Sequence, residues 1–321
     1  NGSIVHYGST PDVVDPATYQ TDVYAAKAAD FVARRAPKSK PFFLSVAPLA
    51  SHTESGGACT CDGNNPRAAP RHEGALANEI PLSRPNFNEA DISDKPQSIQ
   101  NLTLMNPTQQ EVVRARYRAQ SESLLAVDEM IQRIADTLKA EGELKNTVII
   151  YTADNGFFHG EHRVRQGKVR LYEESIRVPL LIRGPGVPKG KKRSQPVSNI
   201  DLAPTIVDLA DAKAQRRMDG RSLLPLMDDG LFSPGRPIVL EAFFNADDPD
   251  ENPETPPTTY QAVRTDRYLY ARYGTGEQEL QRPALAHDPG QSHGAAITRQ
   301  QPQLHFGLAE LRRLARNPDV A

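Results

Sequence analysis

Tryptophan is absent from the chain, cysteine occurs twice, and no stretch of eighteen or more apolar residues is present. The last absence excludes a membrane-spanning helix, which needs about twenty apolar residues to cross the hydrocarbon core. The cysteines, Cys59 and Cys61, stand one residue apart in "GGACTCDGN". So placed, they neither form a disulfide framework nor supply the four ligands of a structural zinc. Charge of one sign is not in excess either, since 38 Lys and Arg face 40 Asp and Glu. A formal charge of −2 gives no global field for nucleic acid or an anionic membrane. No signal-peptide pattern and no internal repeat is visible.

What is present is a chain of 321 residues, 38% apolar, enough for one large α/β domain or a large domain with a smaller companion. The 27 prolines point to long ordered loops. Apolar residues at helical spacing in "TYQTDVYAAKAADFVARR" (18–35) predict a helix capped by Thr18 or Thr21. "PFFLSVAP" (41–48) reads as a short buried strand, and 49–107 as a long loop of the kind that walls an active site. Val113, Tyr117, Leu124, Val127, Ile131, Ile134 and Leu138 define the clearest helix, 108–141, ended by Gly142. Strands are expected at 147–151, 178–186 and 236–244, with a hairpin at 259–273 turning at Thr265-Asp266. Asp201 caps a helix with Pro204 in its first turn. A short amphipathic helix, "GLAELRRLAR", ends the chain after a patternless tail, 281–306. The order fits an α/β fold, mainly a parallel sheet flanked by helices over 1–230, with a smaller antiparallel sheet over 231–321.

Chemistry concentrates where "TVIIYTADNGFFHGEH" (147–162) leaves its strand. Asp154 and Asn155 offer two adjacent oxygen donors, which suit a hard cation such as Ca²⁺ or Mg²⁺, although the pair also suits a plain turn. His52 in "APLASHTE" and Lys168 in "RQGKVRLYEES" likewise follow apolar runs. Strand ends of a parallel sheet converge on one edge, so these four residues can meet in one crevice. A reading in which Cys59 or Cys61 works with His52 as a Cys-His hydrolase lacks a group to orient the histidine.

The stretch "YTADNGFFHGEHRVRQGKVRLYEESIRVPLLIRGPGV", with "FFLSVAPLASH", "SNIDLAPTIVDLADA" and "MDGRSLLPLM", resembles the sulfatase family of the alkaline-phosphatase superfamily. It looks most like the N-acetylglucosamine-6-sulfatase and arylsulfatase branch, over residues 1–280. The resemblance implies an alkaline-phosphatase-like fold, a sulfuric ester hydrolase, a sulfated sugar as substrate and an exported protein. It makes Asp154 and Asn155 ligands of Ca²⁺ (or Mg²⁺), and His52 and Lys168 contacts to the sulfate and its bridging oxygen. A histidine suits proton delivery to the leaving alkoxide near neutral pH. His159 and His162 are further candidates for substrate contact or for packing near the site, and Glu173, Glu174 and Arg177 read as structural. Asn1-Gly2-Ser3 and Asn101-Leu102-Thr103 match the glycosylation acceptor pattern.

The family's nucleophile is a formylglycine made within Cys/Ser-x-Pro-x-Arg, and that string is absent from the 321 residues. The paired aspartates that end the family's first strand are missing too. A Ca²⁺ site takes six to eight oxygens, so Asp154 and Asn155 amount to half a site. The expectation is an incomplete chain, inactive by itself. Two alternatives stay open: a phosphodiesterase-type relative, and a truncated sulfatase that binds anionic glycans without cleaving them. After "GTGEQEL" the family's usual continuation is lost, and local disruption of the final sheet is expected there.

Overall fold

A computed structural model describes residues 19–36, 38–52, 66–78, 84–228, 236–243 and 259–282. Cys59, Cys61, the first glycosylation motif, Thr18, the tail beyond Arg282 and the terminal amphipathic segment lie outside the described residues. The chain divides into two units, one of 1–55, 65–79 and 118–145, the other of 56–64, 80–117 and 146–321.

In the first unit, α1 (Gln20–Arg35) buries Thr21, Ala25, Ala28, Ala29 and Val32 along one face. Its N-cap is Tyr19, with no side-chain cap, rather than either threonine. Thr21 is instead buried inside the first turn, and the Tyr19 hydroxyl donates to the Arg67 carbonyl at 2.9 Å. Arg71 holds Asp22 through two bonds of 2.7 and 2.8 Å and also reaches Glu129, so α1 and the Glu129 stretch are tied by one forked guanidinium. Residues 41–49 alternate between exposed and half-buried as a strand does. They pair with no other strand among the described residues, so the strand expected at 41–48 is an extended segment.

In the second unit, α2 (Gln97–Gln100) is a single turn in what reads from sequence as loop. The long helix α3 (Pro107–Ala140) groups with this unit up to Tyr117 and with the first from Arg118. It closes with Gly142 at φ 78° and the Glu143 amide donating to the Leu138 carbonyl, a left-handed C-terminal turn that glycine takes without strain. β1 (Ile149–Thr152) pairs with β2 (Leu180–Arg183), Ile149 opposite Arg183, and between them lies the single turn α4 (Glu173–Ile176). All ladders among the described residues are antiparallel, so the parallel pairing expected for the main sheet is not among them.

α5 (Leu202–Leu209) follows a 3₁₀ turn at Asn199–Asp201 and carries Pro204 in its first turn. Asp201 stands at the N-cap of α5, as expected, but its side chain makes no capping bond to that helix. Its carboxylate accepts from the Ser198 and Arg221 amides and from the Arg236 guanidinium, as the acidic half of a capping box with Ser198. After α6 (Leu224–Met227), the strands β3 (Ile238–Ala242), β4 (Tyr260–Arg264), β5 (Leu269–Tyr273) and β6 (Gln278–Gln281) form an antiparallel meander in chain order. The expected hairpin is there, closed by the Thr265 amide on the Tyr268 carbonyl. β6 closes the meander within "GTGEQELQ", Leu280 pairing with Tyr270 and buried Glu279 with Ala271, and the stretch after it, where local disruption is expected, lies outside the described residues from 283 on. Leu171, Tyr260, Ala262, Leu269, Ala271 and Tyr273 make this sheet's core, and a second core of Ile92, Ile99, Phe158, Val164 and Tyr172 underlies the loop after β1.

Candidate active site

β1 delivers the chain to Asp154, which is exposed, and Asn155, which is half-buried. The Asn155 amide donates to Asp154 Oδ1 at 3.0 Å, and Asn155 Nδ2 donates to the Gly156 carbonyl at 2.9 Å. Asn199 Nδ2 donates to the carbonyls of Ala153 and Asp154, both at 3.2 Å, anchoring this strand end to the 3₁₀ turn before α5. The Gly156 amide then donates to the Ser175 carbonyl at 2.8 Å. A Cβ on Gly156 would stand 2.0 Å from the Glu174 carbonyl oxygen, so only glycine admits this approach of loop to α4.

The next residues fold back on themselves. The Phe158 amide donates to the Gly167 carbonyl at 2.9 Å and the Gly160 amide to the Val164 carbonyl at 2.8 Å. Gly160 (φ 96°) and Gly167 (φ 116°) supply the left-handed backbone this requires. Phe158, fully buried, fixes the turn to the core beneath. Half-buried Lys168 thereby follows the residue bonded to Phe158, within the same folded loop as the Asp154–Asn155 pair. Val169, next to it, takes φ 65°, a strained setting for a β-branched residue.

The two histidines of the loop differ. His162 is 9% exposed; its Nδ1 lies 2.6 Å from Glu89 Oε2, its Nε2 3.8 Å from Glu174 Oε2, and its ring leans on Tyr172 with centroids 4.5 Å apart. Asn86 joins this cluster by donating to Glu174 Oε1 at 2.8 Å. Arg163 then clips the 84–106 segment in place through the carbonyls of Glu89, Ala90 and Leu102. His159 is half-buried, meets the Tyr117 ring edge-on at 5.0 Å and lies 5.3 Å from Phe157. Burial first, then the charges of Arg116 and Arg84, push its pKa down to about 4. The His159 amide donates to Glu161 Oε2 at 2.6 Å, and burial raises the pKa of that carboxyl.

His52 belongs to the first unit, exposed, in a turn closed by its amide on the Leu49 carbonyl at 2.7 Å. Asp154, Asn155, His159, His162 and Lys168 belong to the second. Asp154 and Asn155 have the hard oxygen donors a Ca²⁺ or Mg²⁺ ion takes, but not its coordination number. Among the described residues no three His, Cys, Asp or Glu side chains are grouped to hold a metal. The pair therefore fits a divalent cation in kind and falls short of a complete site.

Asn86 and Glu89 escape a sequence reading because the 49–107 segment has no periodicity to single them out. Arg116 did leave a signal. It stands three residues after Val113, on the buried stripe of α3, and is 3% exposed.

Comparison with known proteins identifies the family. The sulfatase family model matches residues 4–212, and a model for the C-terminal region of N-sulphoglucosamine sulphohydrolase matches residues 160–315. The chain belongs to the sulfatase family. An arylsulfatase of Volvox carteri is 38% identical over 242 residues, covering 70% of this chain and 37% of that protein. Human N-acetylglucosamine-6-sulfatase is 34% identical over 210 residues, 65% of this chain and 36% of its own length. An extracellular sulfatase SULF-1 homolog of Drosophila melanogaster is 34% identical over 160 residues, 50% of this chain and 14% of the relative. Among solved structures, one described as a complex with its substrate D-glucosamine-2-N,6-O-disulfate superposes with a TM-score of 0.67 at 25% identity, covering 82% of this chain and 63% of the other. The chain thus spans little more than a third of the Volvox and human relatives.

Proposed function

We propose that this chain is part of a sulfuric ester hydrolase acting on sulfated amino sugars of the N-acetylglucosamine-6-sulfate kind. The observation that carries the reading is the bond from the Phe158 amide to the Gly167 carbonyl, which folds the strand-end acid–amide pair and Lys168 into one loop. Sulfate ester cleavage needs positive charge against the non-bridging oxygens and a proton for the leaving alkoxide. Lys168 supplies fixed charge. Asp154 and Asn155 are the residues that would hold a Ca²⁺ or Mg²⁺ ion, whose chemistry is to neutralise sulfate oxygens. His52 is assigned proton delivery. The formylglycine nucleophile is one that the 321 residues do not encode, because Cys/Ser-x-Pro-x-Arg is absent from them. The family and the extracellular relative support export, where calcium is plentiful.

The missing pentapeptide favours a second reading for the chain as it stands, namely binding of anionic glycans without hydrolysis. Turnover of an aryl sulfate and of glucosamine 6-sulfate separates the two. The 321-residue chain is expected to show none. A version supplying the pentapeptide is expected to turn over both and to lose at least a hundredfold in kcat on Lys168→Ala. Full activity of that variant would overturn the role given to Lys168, and single-site hydrolysis by the 321 residues would overturn the expectation that they are inactive by themselves.

A further inference from the structure

Arg116 on α3 is a buried charge with unbonded donors. It is 3% exposed, and its Nε and Nη2 are shut off from solvent with no hydrogen-bond partner among the described residues. A guanidinium does not give up its proton inside a protein, so burial leaves it charged. Charge of the same sign gathers around it. Arg84, exposed, and Arg116 both act on His159. Arg114, two residues back on α3, stacks over the Phe87 ring at 4.9 Å. Glu161, an acid of the His159 turn, is buried, has its pKa raised by that burial, and accepts from the His159 amide. Glu174, which acts on Glu161, accepts from Asn86. Neither carboxylate answers Arg116 among the described residues.

We propose that Arg116, with Arg84 and His159 beside it, is an oxyanion-binding subsite that takes a sulfate group. The guanidinium fork offers parallel N–H groups spaced for two oxygens of one oxyanion, and an ion pair closed this way removes the cost of the lone buried charge. The subsite sits on α3 and the His159 turn, which the Phe158–Gly167 bond sets beside the stretch carrying Lys168, so it adjoins the residues assigned to the scissile sulfate without sharing one of them. Its occupant is therefore a second sulfate on the same sugar, an identity that rests on the functional reading above. Binding of an oxyanion as such does not.

The test uses the 321-residue chain with inorganic sulfate, against sodium chloride at equal ionic strength. Sulfate is expected to raise the melting temperature saturably and to shift the NMR signals of the Arg116 guanidinium and the His159 ring. Arg116→Gln removes an uncompensated charge, so it is expected to melt higher than wild type without sulfate and to bind sulfate at least tenfold more weakly. Arg116→Lys, which keeps the charge and loses the fork, is expected to fall between them. No saturable response, or a response undiminished in Arg116→Gln, overturns the subsite. Glucosamine 6-sulfate and glucosamine 2-N,6-O-disulfate form the second arm. The disulfate is expected to bind at least tenfold tighter, with the advantage lost in Arg116→Gln. Equal binding of the two sugars, with inorganic sulfate still held by Arg116, overturns the second-sulfate assignment alone. The hydrolysis assay with Lys168→Ala judges the catalytic reading separately.

Discussion

Gly156 and His159 show how single residues set the geometry of this loop. An alanine at 156 puts its methyl 2.0 Å from the Glu174 carbonyl oxygen, a backbone atom that cannot swing away. Relief has to come from separating the loop from α4, which breaks the Gly156–Ser175 hydrogen bond. Overpacking of this kind costs about 1–3 kcal/mol and the lost bond about 1 kcal/mol more. Gly156→Ala is expected to lower the urea midpoint accordingly and to shift the Asp154 and Lys168 amide resonances. His159 makes a pH prediction. Its folded pKa, about 4, lies below the ordinary 6.5, so the native state favours the neutral ring. That contribution is fully present above 6.5 and is lost as pH falls from 6.5 through 4. His159→Asn is expected to flatten this part of the stability profile, and the wild-type ring should titrate near 4 by NMR. At this scale Asp154, Asn155 and Lys168 stand out in the sequence as candidates through their motif. Their supports were illegible, because Glu89 and Asn86 reach His162 from over seventy residues away in a segment with no periodicity.

Elements were read best where a single period runs long. α3 matched to within a residue at each end, since thirty-four residues of helical spacing leave little room for another reading. The β4–β5 hairpin was legible for the same reason, with alternation bounded by a turn. β6 was not, because "EQELQR" carries one apolar residue and its order comes from pairing with β5. The buried Glu279 in that strand is the cost and the signature of such an arrangement. Its carboxylate accepts from the Tyr273 hydroxyl at 2.6 Å and the Tyr172 hydroxyl at 3.3 Å, while burial raises its pKa above 4.5. With the folded pKa above the unfolded one, the native state holds the proton more tightly. Stability is therefore fullest below 4.5 and declines as pH rises through the raised value. Glu279→Gln, neutral throughout, is expected to abolish that decline in denaturant midpoints taken at successive pH values. Glu279→Ala strands two buried hydroxyls and is expected to cost roughly 2–4 kcal/mol at any pH. A decline that survives in the glutamine variant would mean another group titrates there.

For the molecule as a whole, the number of oxygen donors decides how calcium should behave. A site holds calcium tightly when six to eight oxygens are fixed before the ion arrives, and even extracellular modules of full coordination reach only about 0.1–1 mM when charge or rigidity is short. The second unit contributes Asp154, exposed, and Asn155, whose amide nitrogen is committed to the Gly156 carbonyl. One charge and two side-chain donors, completed by water, leave most of the ion's hydration shell in place. Titration calorimetry of the 321-residue chain is expected to find no saturable Ca²⁺ site tighter than roughly 1 mM. A version supplying further acidic ligands together with the pentapeptide is expected to bind at least a hundredfold tighter and to lose that gain on Asp154→Ala. Tight binding by the 321 residues that persists in Asp154→Ala would place the metal elsewhere in the chain and detach the acid–amide pair from the sulfatase chemistry. Binding that appears only with the added ligands, and disappears with Asp154, would tie the end of β1 to the metal.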